Sequence, residues 1–254
     1  RKAVADSLNN RFGTHYDESN LVMTVGAAGG MNVIFKTLLN PGDEVIALLH
    51  ISESIALCDQ YDGVLKVVSP NTETFQPNLE AFEELLTEKT KAVIVNTPNN
   101  PTGVVYSAET LRNLAEILEK KQKEYGTSIY LISDEPYREL VYGGVEVPWI
   151  PDFYWNTIVG YSFSKSLSLP GERIGYLVLP TEMDDSEAIK NAANVATRIL
   201  AMSMRHPSSR ESWPGAWKRK PISLTMTETG KHFMRGLRKP AFPASNRREL
   251  SISS

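Results

Sequence analysis

Cysteine is nearly absent from this chain: Cys58 is the only one in 254 residues, so no intrachain disulfide framework can form. No apolar run is long enough to span a membrane, and no secretory leader is visible at the amino end. With the single cysteine, that pattern points to a reducing cytoplasm. An initiating Met is also missing: the chain starts at Arg1 inside a helix-like run carrying Val4, Leu8 and Phe12, which leads us to expect an absent upstream segment. Charge of one sign is lacking overall, with a net of -3, but not locally. Residues 201–254 hold 11 of the 27 basic and 3 of the 30 acidic residues, a balance of +8, which leaves -11 over residues 1–200. An acidic body argues against nucleic acid as its partner.

What is present is hydrophobic content of 41%, enough for one large domain or two small ones, arranged as alternating strand and helix patterns. Short, nearly continuous apolar strands are predicted at 21–25, 44–49, 65–69, 92–96, 129–133, 157–161 and 174–179. Helices are predicted from Gly26 through Leu39, at about 53–61, at 78–86, at 107–125 and at about 185–200. Ser107 and Thr110 provide a capping start for the long helix, and Leu111, Leu114, Ala115 and Leu118 form its apolar stripe. The alternation predicts an α/β fold, a mostly parallel sheet flanked by helices on both faces. Ligands in such sheets bind beyond the carboxyl ends of the strands.

Four loops at those ends carry chemistry. The stretch SFSKSLSLPGERIGY, Ser162 to Tyr176, places Lys165 among small residues just after an apolar strand, where a desolvated amine would be a nucleophile. Ser162 and Ser164 offer hydroxyls, and Arg173 returns a fixed positive charge suited to a phosphorylated carbonyl compound. A surface lysine in a serine-rich loop is the rival reading. Gly26-Ala27-Ala28-Gly29-Gly30 opens a helix, so its free N–H groups either cradle an anion or simply allow close packing. Thr97-Pro98-Asn99-Asn100-Pro101-Thr102-Gly103 holds the Asn100 side chain on a stiff turn. Asp134-Glu135-Pro136-Tyr137 ends a buried strand with a carboxylate that needs a partner, either a protonated heterocyclic nitrogen or a structural cation.

Together these residues fit a pyridoxal phosphate inventory: amine for the aldehyde, carboxylate for the pyridinium, amide and phenol for the ring oxygen, and small residues with arginine for the phosphate. Over about residues 3–200 the chain resembles the class I/II aminotransferases of fold type I, through small-small-Lys, Gly-x-Arg-x-Gly, NPTG and DExY in family order and distance. The resemblance implies that Lys165 is the internal aldimine lysine, Asp134 the pyridine-nitrogen partner, and Asn100 and Tyr137 the donors to the ring oxygen. Arg173, Ser162 and the amides around Ala27, Ala28 and Gly29 then form the phosphate cup. It also implies an amino-acid aminotransferase using a 2-oxo acid as acceptor, working as a homodimer, with residues 1–200 as the cofactor-binding large domain. The same cofactor residues would serve a carbon–sulfur β-lyase, and a non-catalytic cofactor-binding module is the alternative from another class.

The chain departs from that family in three places. Where relatives stack an aromatic on the cofactor ring, this chain has His50-Ile51-Ser52. Ser52 cannot stack, a loss on the order of 1 kcal/mol, and His50 is read as a loop histidine rather than a catalyst. The resemblance also leads us to expect that the amino end is missing, the part that in relatives carries a glycine segment and a tyrosine that reaches the neighbouring subunit. From Met202 onward the strand–helix pattern stops, and runs such as RHPSSRESWPGAWKRKP replace it. A disordered basic tail over 201–254 and a nucleic-acid arm are two readings. A third is a reading-frame slip near Ala201, because permitted codons for the tail, read in another frame, carry helical periodicity like the family's small domain. On that reading the small-domain arginine for the substrate carboxylate is lost. Resequencing the coding DNA across codons 196–206 is expected to reveal the slip; a clean trace in the present frame would remove it.

Overall fold

The structure is a computed structural model that describes residues 1–48 and 57–202. His50, Ser52, residues 53–56 of the helix expected at about 53–61 and nearly all of the basic tail lie outside the described residues. Seven strands form one sheet: β1 (Leu21–Thr24), β2 (Glu44–Leu48), β3 (Val64–Val68), β4 (Thr90–Asn96), β5 (Tyr130–Asp134), β6 (Thr157–Ser162) and β7 (Gly175–Val178). Their order across the sheet is β1-β7-β6-β5-β4-β2-β3. The pairs β2–β3, β2–β4, β4–β5 and β5–β6 are parallel, whereas β7 is antiparallel to both of its neighbours. The expected mostly parallel sheet is thus present, with one reversed strand. The connection from β6 to β7, residues 163–174, carries a short helix at Phe163–Ser166 and a 3-10 turn at Pro170–Glu172 and returns the chain at the same sheet edge instead of crossing to the other, so β7 runs back along β6.

The helices are α1 (Lys2–Phe12), α2 (Gly26–Leu38), α3 (Leu79–Leu85), α4 (Ala108–Tyr125), α5 (Phe163–Ser166) and α6 (Ser186–Ile199). Local chemistry sets their ends. The Asn78 side chain accepts from the Ala81 N–H at 3.1 Å, and the Ser107 hydroxyl accepts from the Thr110 N–H at 3.0 Å. Gly126 closes α4 in the left-handed conformation, with φ 67°.

Strand alternation divides the core between the two faces. Ala92, Ile94, Tyr130, Ile132 and Ile158 pack with Val33, Ile34 and Leu38 of α2 and with Ile189 and Ala193 of α6. On the other face Ile46, Leu48, Val93, Val95 and Leu131 meet Phe82 of α3 and Leu111, Leu114 and Leu118 of α4. A third cluster fastens Val4 and Leu8 of α1 against Val159, Tyr161, Tyr176 and Val178. Tyr130 at 2% exposure and Phe82 at 0% show how completely the helices cover the sheet. Such burial contributes roughly 1.5–3 kcal/mol per large side chain.

Parallel pairing brings Asn96, Asp134 and Ser162 to one edge of the sheet, with Asn96 opposite Asp134 in register. β7 enters that same edge, since Gly175 is paired with Ser162 on one side and with Thr24 on the other. A Cβ on Gly175 would collide with the Tyr161 carbonyl oxygen and lie 3.0 Å from the Gly26 carbonyl carbon, so glycine is what lets β7 slip between β6 and the start of α2.

Behind Asp134 the chain is anchored by a buried ion pair. Arg138 Nε donates to Glu135 Oε2 at 2.5 Å, with the two side chains 2% and 1% exposed. Its Nη1 and Nη2 reach the Val147 and Pro148 carbonyls at 2.8 and 2.9 Å, and Ser133 Oγ donates to Glu135 Oε1 at 2.8 Å. The guanidinium also lies 5.1 Å from the Phe12 ring and 5.3 Å from the Trp149 ring, which are stacked on each other at 4.2 Å. Removing one member strands a buried charge, so Arg138→Leu is expected to lower stability by about 3–5 kcal/mol in urea unfolding. A loss below about 1 kcal/mol would show that the pair is not held as a desolvated unit.

Candidate functional site

A cavity of about 580 Å³ opens at this strand edge, and the four chemically marked loops supply its wall. The loop after β4 contributes Asn100, the end of β5 and the turn after it contribute Asp134 and Tyr137, and the end of β6 and the segment after it contribute Ser162, Ser164 and Lys165. Arg173 and the first turn of α2, through Ala27 and Ala28, close the remaining side. Gly29 is the one site residue expected from sequence that does not line the cavity. It is buried a step further along α2, where a Cβ would lie 2.7 Å from Val25 Cγ2, so its absent side chain serves packing.

Each side chain is placed by local structure. Ser162 caps the short helix α5: its hydroxyl accepts from the Ser164 N–H at 3.3 Å and lies 2.9 Å from the Ser164 hydroxyl. That turn projects Lys165 from a backbone fixed at the strand end. Behind it, the Tyr161 hydroxyl sits 2.7 Å from Glu139 Oε2 and 2.7 Å from Ser166 Oγ. Burial, reinforced by the Glu139 carboxylate, holds the Tyr161 pKa well above its ordinary value, so the phenol remains a donor at any ordinary pH. Arg11 on α1 completes this chain of contacts at 2.6 Å from Glu139.

Lys165 itself is exposed, with Nζ 5.7 Å from the centre of the Tyr137 ring. The sequence suggested a desolvated amine; the structure places it at the open mouth of the cavity instead. Across that mouth Asn100 Nδ2 donates to the Tyr137 hydroxyl at 3.1 Å, which brings the two expected ring-oxygen donors into one group.

The arginine end is equally determined by backbone. Arg173 adopts φ 46°, ψ 53°, an uncommon left-handed conformation for a non-glycine residue, and its Nη1 donates to Ser164 Oγ and to the Pro170 carbonyl at 3.2 Å each. Gly26 begins α2 with φ +75°, and a Cβ there would collide with Arg173 Nη2. The guanidinium therefore lies directly against the helix start, where N–H groups without intrahelical acceptors already favour an anion.

Sequence reasoning missed Asn96. Only 2% exposed, it lines the cavity and hydrogen-bonds Asp134, Asn99 and Asn100, yet as the last residue of a strand it carried no motif signal. Among the described residues no cluster of His, Cys, Asp and Glu could hold a metal ion, and no helix is long and apolar enough to cross a membrane.

Comparison with known proteins gives the family and the fold. The family described as Aminotransferase class I and II matches residues 1–210. A probable aspartate/prephenate aminotransferase of Aquifex aeolicus is 33% identical over 225 residues, covering 83% of this chain and 55% of the relative. An aspartate aminotransferase of Thermotoga maritima is 37% identical over 182 residues, covering 70% of this chain and 47% of the relative. Among solved structures, an amino transferase from Eubacterium rectale superposes with a TM-score of 0.88 at 38% identity, over 95% of this chain and 61% of that one. The chain spans about half the length of the curated relatives it matches. On the strength of the family match and the shared fold, this chain belongs to the class I and II aminotransferases, a pyridoxal-phosphate-dependent family.

Proposed function

We propose that the cavity holds pyridoxal phosphate and that the protein transfers an amino group from an amino acid to a 2-oxo acid. The observation that carries this reading is the convergence of Lys165, Asp134, Tyr137, Asn100 and Arg173 on one cavity from separate loops. The donor set suits the cofactor at every point. The amine of Lys165 faces the cavity, a carboxylate is available for a ring nitrogen, and a paired amide and phenol are available for a ring oxygen. The space that a Cβ on Gly26 would take is occupied by a guanidinium set against a helix start, which suits a phosphate.

When bound, pyridoxal phosphate supplies an aldehyde and a ring that accepts negative charge from a substrate α-carbon. The residues do the rest. Lys165 provides the amine and, when free, moves the proton at the substrate α-carbon. Asp134 keeps a proton on the ring nitrogen, because a carboxylate beside it favours the charged form. Asn100 and Tyr137 donate to the ring oxygen. Arg173, Ser162 and the α2 amides near Ala27, Ala28 and Gly29 grip the phosphate, which fixes the ring relative to Lys165. Residues 1–200 act as the cofactor-binding large domain, and the family resemblance adds assembly as a homodimer.

Titrating the purified chain with pyridoxal phosphate is expected to raise a saturable visible absorbance band, trapped on Lys165 by borohydride and lost in Lys165→Ala. Adding an amino acid should bleach the band as the bound aldehyde becomes the amine. A band that does not respond to amino acids would favour a binding module, and no band in the wild type would sink the reading. Arg173→Gln is expected to weaken pyridoxal phosphate binding by roughly 10- to 100-fold, the worth of a hydrogen bond to a charged group. Binding of pyridoxal, which lacks the phosphate, should be unchanged; an equal loss for both ligands would remove Arg173 from the phosphate cup.

A further inference from the structure

We infer that Asn96 is a positioning residue that locks the Asp134 carboxylate and the Asn100 loop into one unit, an inference that rests on the cofactor reading of the cavity. Its planar amide has four hydrogen-bonding positions, and all four are used. Asn96 Nδ2 donates to the Asp134 carbonyl oxygen at 2.9 Å and to Asp134 Oδ2 at 3.2 Å. Asn96 Oδ1 accepts from the Asn100 N–H at 2.8 Å and from Asn99 Nδ2 at 3.3 Å. With Asn96 only 2% exposed, these bonds lie out of competition with water.

The register places Asn96 opposite Asp134 on neighbouring parallel strands, so the amide bridges the two strand ends from which the ring-nitrogen and ring-oxygen partners depart. Donation to Oδ2 fixes the rotation of the carboxylate and favours its charged form. Acceptance from the Asn100 N–H fixes the start of the turn whose side chain meets Tyr137. A serine or threonine hydroxyl donates only once and so could not serve both Asp134 oxygens, whereas an amide donates twice and accepts twice in one plane. Capping the strand end would need one bond to the Asp134 backbone, whereas the second, to the carboxylate, reaches a group that lines the cavity.

Asn96→Asp tests this with almost no change of shape, since it retains the acceptor for the Asn100 N–H and replaces the donor by a second carboxyl group. Two carboxylates at that distance share one proton, and while the proton is held the donation to Asp134 persists. The other ionisable groups around the pair, Tyr137, Lys165 and Arg173 on the cavity wall and Glu135 paired with Arg138 behind it, are the same in both proteins.

The expected result is pyridoxal phosphate affinity close to wild type at low pH, falling roughly tenfold or more relative to wild type once the shared proton leaves, about 1.4 kcal/mol or more. Parallel pH profiles for the two proteins would overturn the inference. Carboxyl NMR of the ligand-free proteins gives a second, cofactor-independent answer. In Asn96→Asp the Asp134 signal should titrate in two coupled steps, and in Asn96→Ala its midpoint should move up; an unchanged Asp134 titration would overturn the inference. Failure of the wild type to bind pyridoxal phosphate would refute the cofactor reading instead, while the ligand-free titrations would still decide whether Asn96 controls Asp134.

Discussion

Parallel pairing of β4 with β5, in the register that sets Asn96 against Asp134, is the constraint on which the site depends. A slip of one residue would turn every side chain of β4 to the opposite face, exchanging Val93 and Val95 with Ala92 and Ile94 and spoiling both cores. Hydrophobic packing on the two faces therefore sets the position of polar groups that contribute nothing to it. The carboxylate and the two loops are placed by strands too well buried to shift, which is what lets an exposed cavity mouth hold a defined geometry.

Much of this was legible because the signals were local. Seven strands appear within about two residues of their expected positions, since each is a short apolar run bounded by turn residues. The predicted caps at Ser107 and the buried stripe of α4 are present for the same reason. The cavity residues were legible through chemistry and spacing, as Lys165, Asp134, Asn100, Tyr137 and Arg173 each follow a strand and all reach one space. Three features were not. The antiparallel course of β7 depends on which neighbour it pairs with, a fact of tertiary contact. The exposure of Lys165 follows from how the loops stand apart, which no periodicity encodes. Asn96 needed coordinates, because its importance lies in four hydrogen bonds, two to Asp134 at the end of the neighbouring strand and two to Asn99 and Asn100 of the loop that follows it.

The two ends of the cavity are built differently. At the Asp134 end the partners are neutral or paired: an amide, a phenol, and behind them an arginine neutralised by Glu135. At the other end a guanidinium lies against the start of a helix, held in an uncommon backbone conformation by a serine hydroxyl and a proline carbonyl. On the proposed reading a guanidinium set against a helix start marks the phosphate end, whereas the ring-nitrogen end offers the Asp134 carboxylate, with the nearby arginine neutralised by Glu135 and Lys165 Nζ 5.7 Å from the Tyr137 ring. Reversing the ligand would set a protonated nitrogen against Arg173 and a phosphate against Asp134, so electrostatics alone select one orientation.

This division also bears on reaction choice. Groups that hold a ring, an aldehyde and a phosphate serve every reaction of the cofactor alike, and the bond that breaks at the substrate α-carbon is decided by how the substrate is turned. A substrate carboxylate calls for its own cation, because a bidentate arginine is what fixes a carboxylate in rotation as well as position. Among the described residues lining the cavity the cations are Lys165 and Arg173, and the proposed reading commits both to the cofactor. On that reading, committing Arg173 to a substrate would remove the charge proposed to hold the phosphate and would loosen the ring that the substrate must be turned against. On the proposed reading, cofactor chemistry and reaction specificity are separable here: the cavity residues suit the first, and a substrate carboxylate would call for a further cation.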